Sequence, residues 1–338
     1  MLHNKNVHNF LNRKIEIPNF DESYANQART HQDELTKPKG SLGKLEDFAI
    51  WMSGWQRKKK PTMNNAHCLI FAGNHGVASK GVSAYPIEVT SQMVENFKNG
   101  GAAINQLCNL ANLNLSVIPI DLENSTRDFT EHTAMELEET IEIMQLGFDA
   151  VPKKCDFLVL GEMGISNTTS ATAISCVLFN EPVENWTGPG TGLDEQGILR
   201  KILIIKSALK LHGKKFTSPQ SILSTFGGKE MAAIAGSVIA ARLKKIPVLL
   251  DGFICTSAAA TLTIFEKNFL DHCLISHLST EPGHLGISSH LKKEPILNLN
   301  LRLGEGSGAA IASLIIRSSI GIHNGMSTFE EANVKKKI

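Results

Sequence analysis

The sequence predicts an α/β fold, with a parallel β-sheet covered by helices on both faces. Three observations carry this. Short continuous apolar runs recur along the chain, most end in a glycine-rich turn, and helix-like segments follow. A strand buried on both faces must be apolar throughout, and strands alternating with helices imply parallel connections. The predicted strands are His67–Ala72 before Gly73-Asn74-His75-Gly76, Leu115–Ile120, and Phe157–Leu160 before Gly161-Glu162-Met163-Gly164. Ile222–Phe226 before Gly227-Gly228 and Val248–Leu250 before Asp251-Gly252 complete the set. In such sheets ligands bind at the carboxyl ends of the strands, where these glycines fall.

The chain ends read differently. Residues 22–36 and 43–57 have amphipathic helical spacing and are joined by the turn Lys37-Pro38-Lys39-Gly40; residues 308–324 read as a further helix. Together they predict a small helical domain, residues 1–62 plus 308–338, beside a large domain, residues 63–307. Residues 133–147 form an acidic helix whose charges face solvent. Ile246–Phe265 approaches membrane-spanning length. Asp251-Gly252 interrupts it after a strand-like stretch, so a buried strand, a turn and a buried helix are expected. The tail Lys335–Lys337 is expected to fray.

Composition excludes several functions. Lys plus Arg is 34 and Asp plus Glu is 33, a net charge of +1, so no field attracts nucleic acid or an anionic membrane. The patch Arg57-Lys58-Lys59-Lys60 is short and ends at Pro61, as a solvated helix end does. Aromatic residues are only 6 % of 338, so the core is built from Ala, Ile, Leu and Val. Residues 1–14 hold no apolar run of the kind a secretion signal needs. The six cysteines stand apart with no CxxC pair, which points to reduced thiols and a cytoplasmic protein. His272, Cys273, His277 and His284 lack zinc-finger or HExxH spacing, so neither a metal nor another cofactor is expected.

The richest motif is Leu303–Ala310, LGEGSGAA, with Glu305 among Gly304, Gly306 and Gly308. Glycine lets backbone approach a ligand closely. Two readings stand at this point: Glu305 is a general base at the rim of a small-molecule site, or it is a first-turn glutamate favoured by a helix dipole. GEMGISNTTSA (Gly161–Ala171) opens a helix after a strand. Gly164, Ser166, Asn167 and Thr168 there suit a phosphate, or form an ordinary helix cap. The motif is neither a P-loop nor a dinucleotide fingerprint. In GPGTGLDEQGILRK (Gly188–Lys201), Thr191 and the N–H groups near Gly190 and Gly192 complete an anion site. Lys201 serves the phosphate or Glu162, or is a plain surface lysine. TFGGKEMAAIAG (Thr225–Gly236) has glycines suited to close helix–sheet packing. In STEPGH (Ser279–His284), His284 is expected to make structural hydrogen bonds rather than to transfer protons.

Several of these motifs occur together in one order. KPKGSLGKLE, FAGNHGV, GVSAYP, GEMGISNTTSA, GPGTGLD, GGKEMAAIAG, LLDGFI, STEPGH and LRLGEGSGAA span residues 37–310. In this the chain resembles the nicotinate-nucleotide–dimethylbenzimidazole phosphoribosyltransferases of cobalamin lower-ligand activation, from about residue 20 to about residue 325. The resemblance implies a large Rossmann-like domain, a small helical domain from both termini, and a homodimer with the site near its interface. It implies transfer from nicotinate mononucleotide to 5,6-dimethylbenzimidazole, with Glu305 as base and with Glu162 and Lys201 at the nucleotide. Gly252 is expected to join the nucleotide set. Ser83, Tyr85, Gln92 and Leu303 are expected to border the base, Tyr85 otherwise being a partly buried core residue. The family usually has Asp where Asn74 stands and Gly where Ser166 stands. The first removes a charge, and the second crowds the phosphate cradle. Transfer to another base (adenine or a phenol), or phosphate binding without turnover, are the competing readings.

Overall fold

The structure, a computed structural model, describes residues 6–213 and 215–336. Five strands form a parallel sheet: β1 (Ala66–Ala72), β2 (Asn114–Pro119), β3 (Phe157–Met163), β4 (Val248–Leu250) and β5 (Cys273–Ile275), in the order β2-β1-β3-β4-β5. The chain leaves β1 toward one edge, then returns to β3 and continues toward the other edge. The connections therefore diverge between β1 and β3, the place where open α/β sheets bind ligands. A short parallel pair, β6 (His277–Ser279) and β7 (Leu297–Leu301), stands beyond β5.

Side-chain alternation explains why both sheet faces are buried. Leu69 and Phe71 of β1, Leu158 and Leu160 of β3, and Val248 and Leu250 of β4 enter one core cluster. Cys68, Ile70, Phe157, Val159 and Leu249 enter the other. Successive side chains of a strand point to opposite faces, so a strand covered twice is apolar at every position. The first cluster is roofed by helices that include Leu137–Ala150 and Lys229–Lys244. These two pack backbone to backbone: a Cβ on Gly147 would lie 1.9 Å from the Ala233 carbonyl oxygen.

The end helices form within a few residues of their predicted bounds, at Glu22–Glu34, Lys44–Gln56 and Ser307–Gly325. Their turn is pinned by Glu46, whose Oε1 accepts from Lys37 Nζ (2.7 Å) and from the Leu42 N–H (3.0 Å). The helix Ser307–Gly325 bridges two environments. Ala309, Ala310, Ala312 and Ile316 join the sheet's second core cluster. Further along, Ser319 Oγ donates to the Leu45 carbonyl, and His323 meets His31 and Gln32 of the first long helix.

One predicted strand is corrected. Ile222–Phe226 is the end of a helix, Pro219–Phe226, not a strand. Ser218 caps it by accepting from the Ser221 N–H, and Pro219 occupies its first turn. A short apolar run carries no period that separates a buried helix from a strand, and the cap decides. Consequently Thr225–Gly236 joins two helices through Gly227-Gly228, rather than leaving the sheet. Ile246–Phe265 contains β4, then Asp251 and the buried helix Gly252–Ala260. Among the described residues, no helix is long and apolar enough to cross a membrane. Residues 1–5 of the N-terminal stretch and Lys337 of the tail lie outside the described residues.

Candidate active site

A cavity of about 350 Å³ opens at the carboxyl ends of β3 and β4 and continues past β6 and β7. Its wall joins residues distant in sequence: Tyr85, Glu162, Thr168, Gly190, Gly252 and Glu305 all line it.

Glu305 owes its position to an unusual backbone. Gly304, Glu305 and Gly306 follow one another at φ 79°, 61° and 78°. Left-handed φ is free for the glycines but costs a β-carbon-bearing residue roughly 1–2 kcal/mol. Backbone bonds hold the strained loop. The Glu305 N–H donates to the Glu162 carbonyl (3.2 Å). The N–H groups of Gly306 and Ala309 donate to the two carboxyl oxygens of Asp251 (3.0 and 2.9 Å). Asp251 thereby caps the helix Ser307–Gly325, the task that a first-turn glutamate would otherwise be given. The Glu305 side chain is free of structural duty: the residue is 6 % exposed, and its carboxyl has no hydrogen-bond or ion-pair partner among the described residues. Burial pushes its pKa up to about 7. A carboxyl poised near neutrality at a cavity wall suits a general base.

Glu162, near the end of β3, differs in state. It is buried, and it accepts a hydrogen bond from the Asn167 side-chain amide. Burial, then the charges of Glu230 and Asp251, hold its pKa well above the carboxylate range, against the Asn167 bond that lowers it. Its carboxyl is therefore harder to ionise than an ordinary glutamate. Glu230 is itself buried against His75, whose Nε2 lies 2.7 Å from Glu230 Oε1. Gly304 lets the two loops meet, since a Cβ there would stand 2.7 Å from Glu162 Oε1.

The other end of the cavity suits an anion. Gly164 lies between β3 and the helix Asn167–Phe179, and Thr168 is in that helix's first turn. Lys201 is not a surface lysine; it is fully buried. Its Nζ donates to Thr168 Oγ1 (2.8 Å) and to the Gly188 carbonyl (3.3 Å), and among its described bonds none reaches Glu162. Burial lowers its pKa to about 8. The Gly190 N–H is already engaged, donating to Glu281 Oε1 at 2.8 Å. Thr191 lines the wall and is 3.1 Å from Ser83 Oγ through its own hydroxyl. That contact ties the GVSAYP loop to the GPGTG loop, and it places Ser83 behind the wall rather than on it.

The mouth is apolar. Tyr85 is 54 % exposed and Leu303 is 55 % exposed, so Tyr85 is no core residue. Val89 and Met93, one turn apart on the helix Val89–Lys98, face the cavity, whereas Gln92 of the same helix is exposed and off its wall. Of the histidines near the cavity, His284 is structural. Its Nδ1 accepts from the Ser279 N–H (2.9 Å), and its Nε2 is 3.2 Å from Thr256 Oγ1. Among the described residues, no group of three or more His, Cys, Asp or Glu could hold a metal ion.

A family model described as phosphoribosyltransferase matches residues 17–334. The chain is 47 % identical over 323 residues to the nicotinate-nucleotide–dimethylbenzimidazole phosphoribosyltransferase of Mesorhizobium japonicum, covering 96 % of each. It is 49 % identical over 314 residues to the enzyme of that name from Jannaschia sp., covering 93 % of each. The chain belongs to the nicotinate-nucleotide–dimethylbenzimidazole phosphoribosyltransferase family. A crystal structure of that name from Thermus thermophilus superposes with a TM-score of 0.87 at 34 % identity, over 94 % of this chain and all of that one.

Two residues in which the chain departs from the usual phosphoribosyltransferase motif acquire a structural meaning. Asn74 donates through its amide to the Leu122 carbonyl (2.8 Å), while its Oδ1 is buried without a partner. Ser166 sits at φ 77°, and its buried hydroxyl makes no cap bond or other hydrogen bond. Glycine takes this backbone freely, so Ser166→Gly is expected to stabilise the fold by about 1 kcal/mol, measured as a higher denaturant midpoint at unchanged slope. A destabilised variant would show that Ser166 contributes a contact beyond its backbone.

Sequence reasoning passed over Asp251 as a ligand of the loop, and did not assign Glu281 or Arg302, both on the wall. Asp251 carried a signal, a lone acid at a strand's carboxyl end. Arg302 and Glu281 carried none, because the pairing of β6 with β7 is what brings them together.

Proposed function

We propose that the chain transfers the phosphoribosyl group of nicotinate mononucleotide to 5,6-dimethylbenzimidazole, releasing nicotinate and forming α-ribazole 5′-phosphate in assembly of the cobalamin lower ligand. The observation that carries this is Glu305, an unpartnered buried carboxyl with a pKa near 7 on the wall of the cavity. Bound nicotinate is a pyridinium, so it leaves without a proton. The benzimidazole attacks C1′ through its lone-pair nitrogen from the opposite face of the ribose, which inverts the β anomer to α. That bond makes the other ring nitrogen acidic, and Glu305 takes its proton.

Glu162 supports the nucleotide end of this scheme. A cationic nicotinate ring or a developing oxocarbenium ion beside it favours the ionised form of a carboxyl whose pKa burial holds high, so its charge is stabilised where the transition state needs it. Thr168, Thr191, the backbone about Gly164 and the buried Lys201 take the phosphate, with Gly252 at the ribose side. Much of the rate then comes from positioning.

The base occupies the apolar mouth. Tyr85 and Leu303 flank it, with Val89 and Met93 beneath, and Ser83 and Gln92 border it from outside the wall. Tyr85→Ala is expected to raise KM for dimethylbenzimidazole about tenfold, the scale of one lost aromatic contact, and to leave KM for nicotinate mononucleotide nearly unchanged. A parallel rise in both constants would move the base elsewhere.

The exposure of Tyr85 and Leu303 supports a homodimer that covers the mouth. The mostly buried cysteines, none of them in a disulfide among the described residues, support a reducing, cytoplasmic setting. Residues 1–62 with 308–338 are read as a helical unit on the larger domain, residues 63–307, supported by the contacts that His323 and Ser319 make with the first two long helices. The direct test is product analysis after incubating the protein with nicotinate mononucleotide and a panel of dimethylbenzimidazole, adenine and a phenol. A product containing dimethylbenzimidazole in α linkage is expected. A β-linked product, or tight binding with no product from any base, would overturn the proposed chemistry.

A further inference from the structure

Glu281 stands between the end of β6 and the helix Pro282–Leu291. It lines the cavity and is 5 % exposed. Its Oε1 is held by the Gly190 N–H at 2.8 Å, whereas its Oε2 is buried with no partner. The backbone beside Oε2 is bare: a Cβ on Gly188 would lie 2.4 Å from that oxygen. Lys201 Nζ bonds to the same Gly188 and to Thr168, so the orphan acceptor adjoins the anion end of the cavity. A buried acceptor without a donor is costly, and one oxygen locked with the other unsatisfied is a preorganised acceptor that a small side-chain shift brings to a donor.

We propose that Glu281 accepts a hydrogen bond from a ribose hydroxyl of the nucleotide substrate, and so helps to select ribonucleotides. This rests on the transfer proposed above. The donor follows by elimination. The phosphate and the nicotinate carboxylate only accept hydrogen bonds near neutral pH, and the glycosidic nitrogen carries no proton. The benzimidazole offers one ring N–H, which Glu305 takes. Of the other acids of the wall, Asp251 has both oxygens taken by backbone N–H groups, and Glu162 has Oε2 taken by Asn167 and Oε1 turned toward Gly304, on the Glu305 side of the cavity and not at its anion end. The 2′ and 3′ hydroxyls are the donors that remain, and they sit a few bonds from a phosphate held at Lys201 and Thr168. A carboxylate on a ribose hydroxyl is a recurring arrangement in nucleotide sites.

The test compares nicotinate mononucleotide with its 2′-deoxy and 3′-deoxy analogues, by calorimetric Kd and by kcat/KM, in wild type, Glu281→Ala and Glu281→Gln. Wild type is expected to disfavour at least one deoxy analogue by about a hundred-fold or more, because the lost hydroxyl leaves the acceptor unpaired. Glu281→Ala should lower activity on the natural substrate and bring the compounds to within about threefold of each other, with Glu281→Gln in between. If Glu281→Ala weakens all three substrates equally, the residue is only structural and the assignment fails. If neither variant folds, wild type alone decides, since equal Kd values for ribo- and deoxyribonucleotides overturn it. Discrimination in binding with no product from any base would keep Glu281 and remove the proposed transfer. Turnover without discrimination would remove Glu281 alone. Failure of wild type to bind nicotinate mononucleotide would remove both.

Discussion

Replacing Glu305 with Gln is expected to keep the fold and to lower turnover by about a hundred-fold or more, the ordinary scale for losing a general base. The variant is isosteric, and the native carboxyl makes no hydrogen bond or ion pair whose loss would disturb the loop. What holds the loop is backbone: the Glu305 N–H on the Glu162 carbonyl, and the Gly306 and Ala309 N–H groups on Asp251, all of which survive. The pH dependence gives a second readout. Burial sets the Glu305 pKa at about 7, and a base acts when deprotonated. In wild type kcat/KM should therefore fall as pH drops below about 7, approaching tenfold per unit, and fall again above about 8, where Lys201 loses the charge that meets the phosphate. Asp251, which burial also pushes up to about 7, remains in the variant, so the acid limb that disappears belongs to Glu305. Near-normal turnover in a folded Glu305→Gln protein, or an unchanged acid limb, would take the base away from this residue.

Removing the phosphate from the substrate is the other large effect. Nicotinate riboside should be used with a kcat/KM about a thousand-fold below that of nicotinate mononucleotide. Hydrogen bonds to a charged group contribute about 1.5–3 kcal/mol each, and two such bonds lost from a buried site amount to a thousand-fold at roughly 1.4 kcal/mol per factor of ten. Lys201 makes the site demanding. It is fully buried, its pKa is lowered to about 8 by that burial against the opposing charge of Glu281, and among the described residues its ammonium hydrogen-bonds to the Thr168 hydroxyl and the Gly188 carbonyl. A buried cation whose hydrogen bonds go to neutral groups gains strongly from a dianion. Comparison of initial rates for the two substrates settles the matter, and equal specificity constants would show that no phosphate binds at the Thr168–Lys201 end.

Much of this was legible along the chain. FLVL before GEMG, and VLL before DG, announce strands whose carboxyl ends line the cavity, although β3 runs on through Gly161-Glu162-Met163 where a turn is expected. LGEGSGAA announces a carboxyl whose loop only glycines can shape, and its φ angles of 79°, 61° and 78° explain why. Where the sequence misled, the cause is local ambiguity or missing depth. Ile222–Phe226 has the composition of a strand, and only the Ser218 cap with Pro219 makes it a helix. Lys201 is assigned to the nucleotide by motif order, while its helix with charged neighbours says nothing of its depth: it is buried under the GPGTG loop. Ser83 and Gln92 share the base motif's neighbourhood, while the cavity wall is taken by Val89 and Met93 of the same segment.

The sequence by itself determined the layered α/β architecture, the end helices and the placing of Glu305 among glycines, because periodicity, glycine placement and motif order are properties of neighbours along the chain. Tertiary structure alone decided the ionisation and the division of labour. The pKa of Glu162 is raised because burial and the charges of Glu230 and Asp251 converge on it, residues 68 and 89 positions away along the chain. Asp251 serves as the helix cap for residues 306–309, which frees Glu305 for chemistry. Glu281 has one oxygen held by Gly190 and the other buried without a donor. Electrostatic and desolvation energies depend on distance in space and on exclusion of water, and neither is written in the order of the residues.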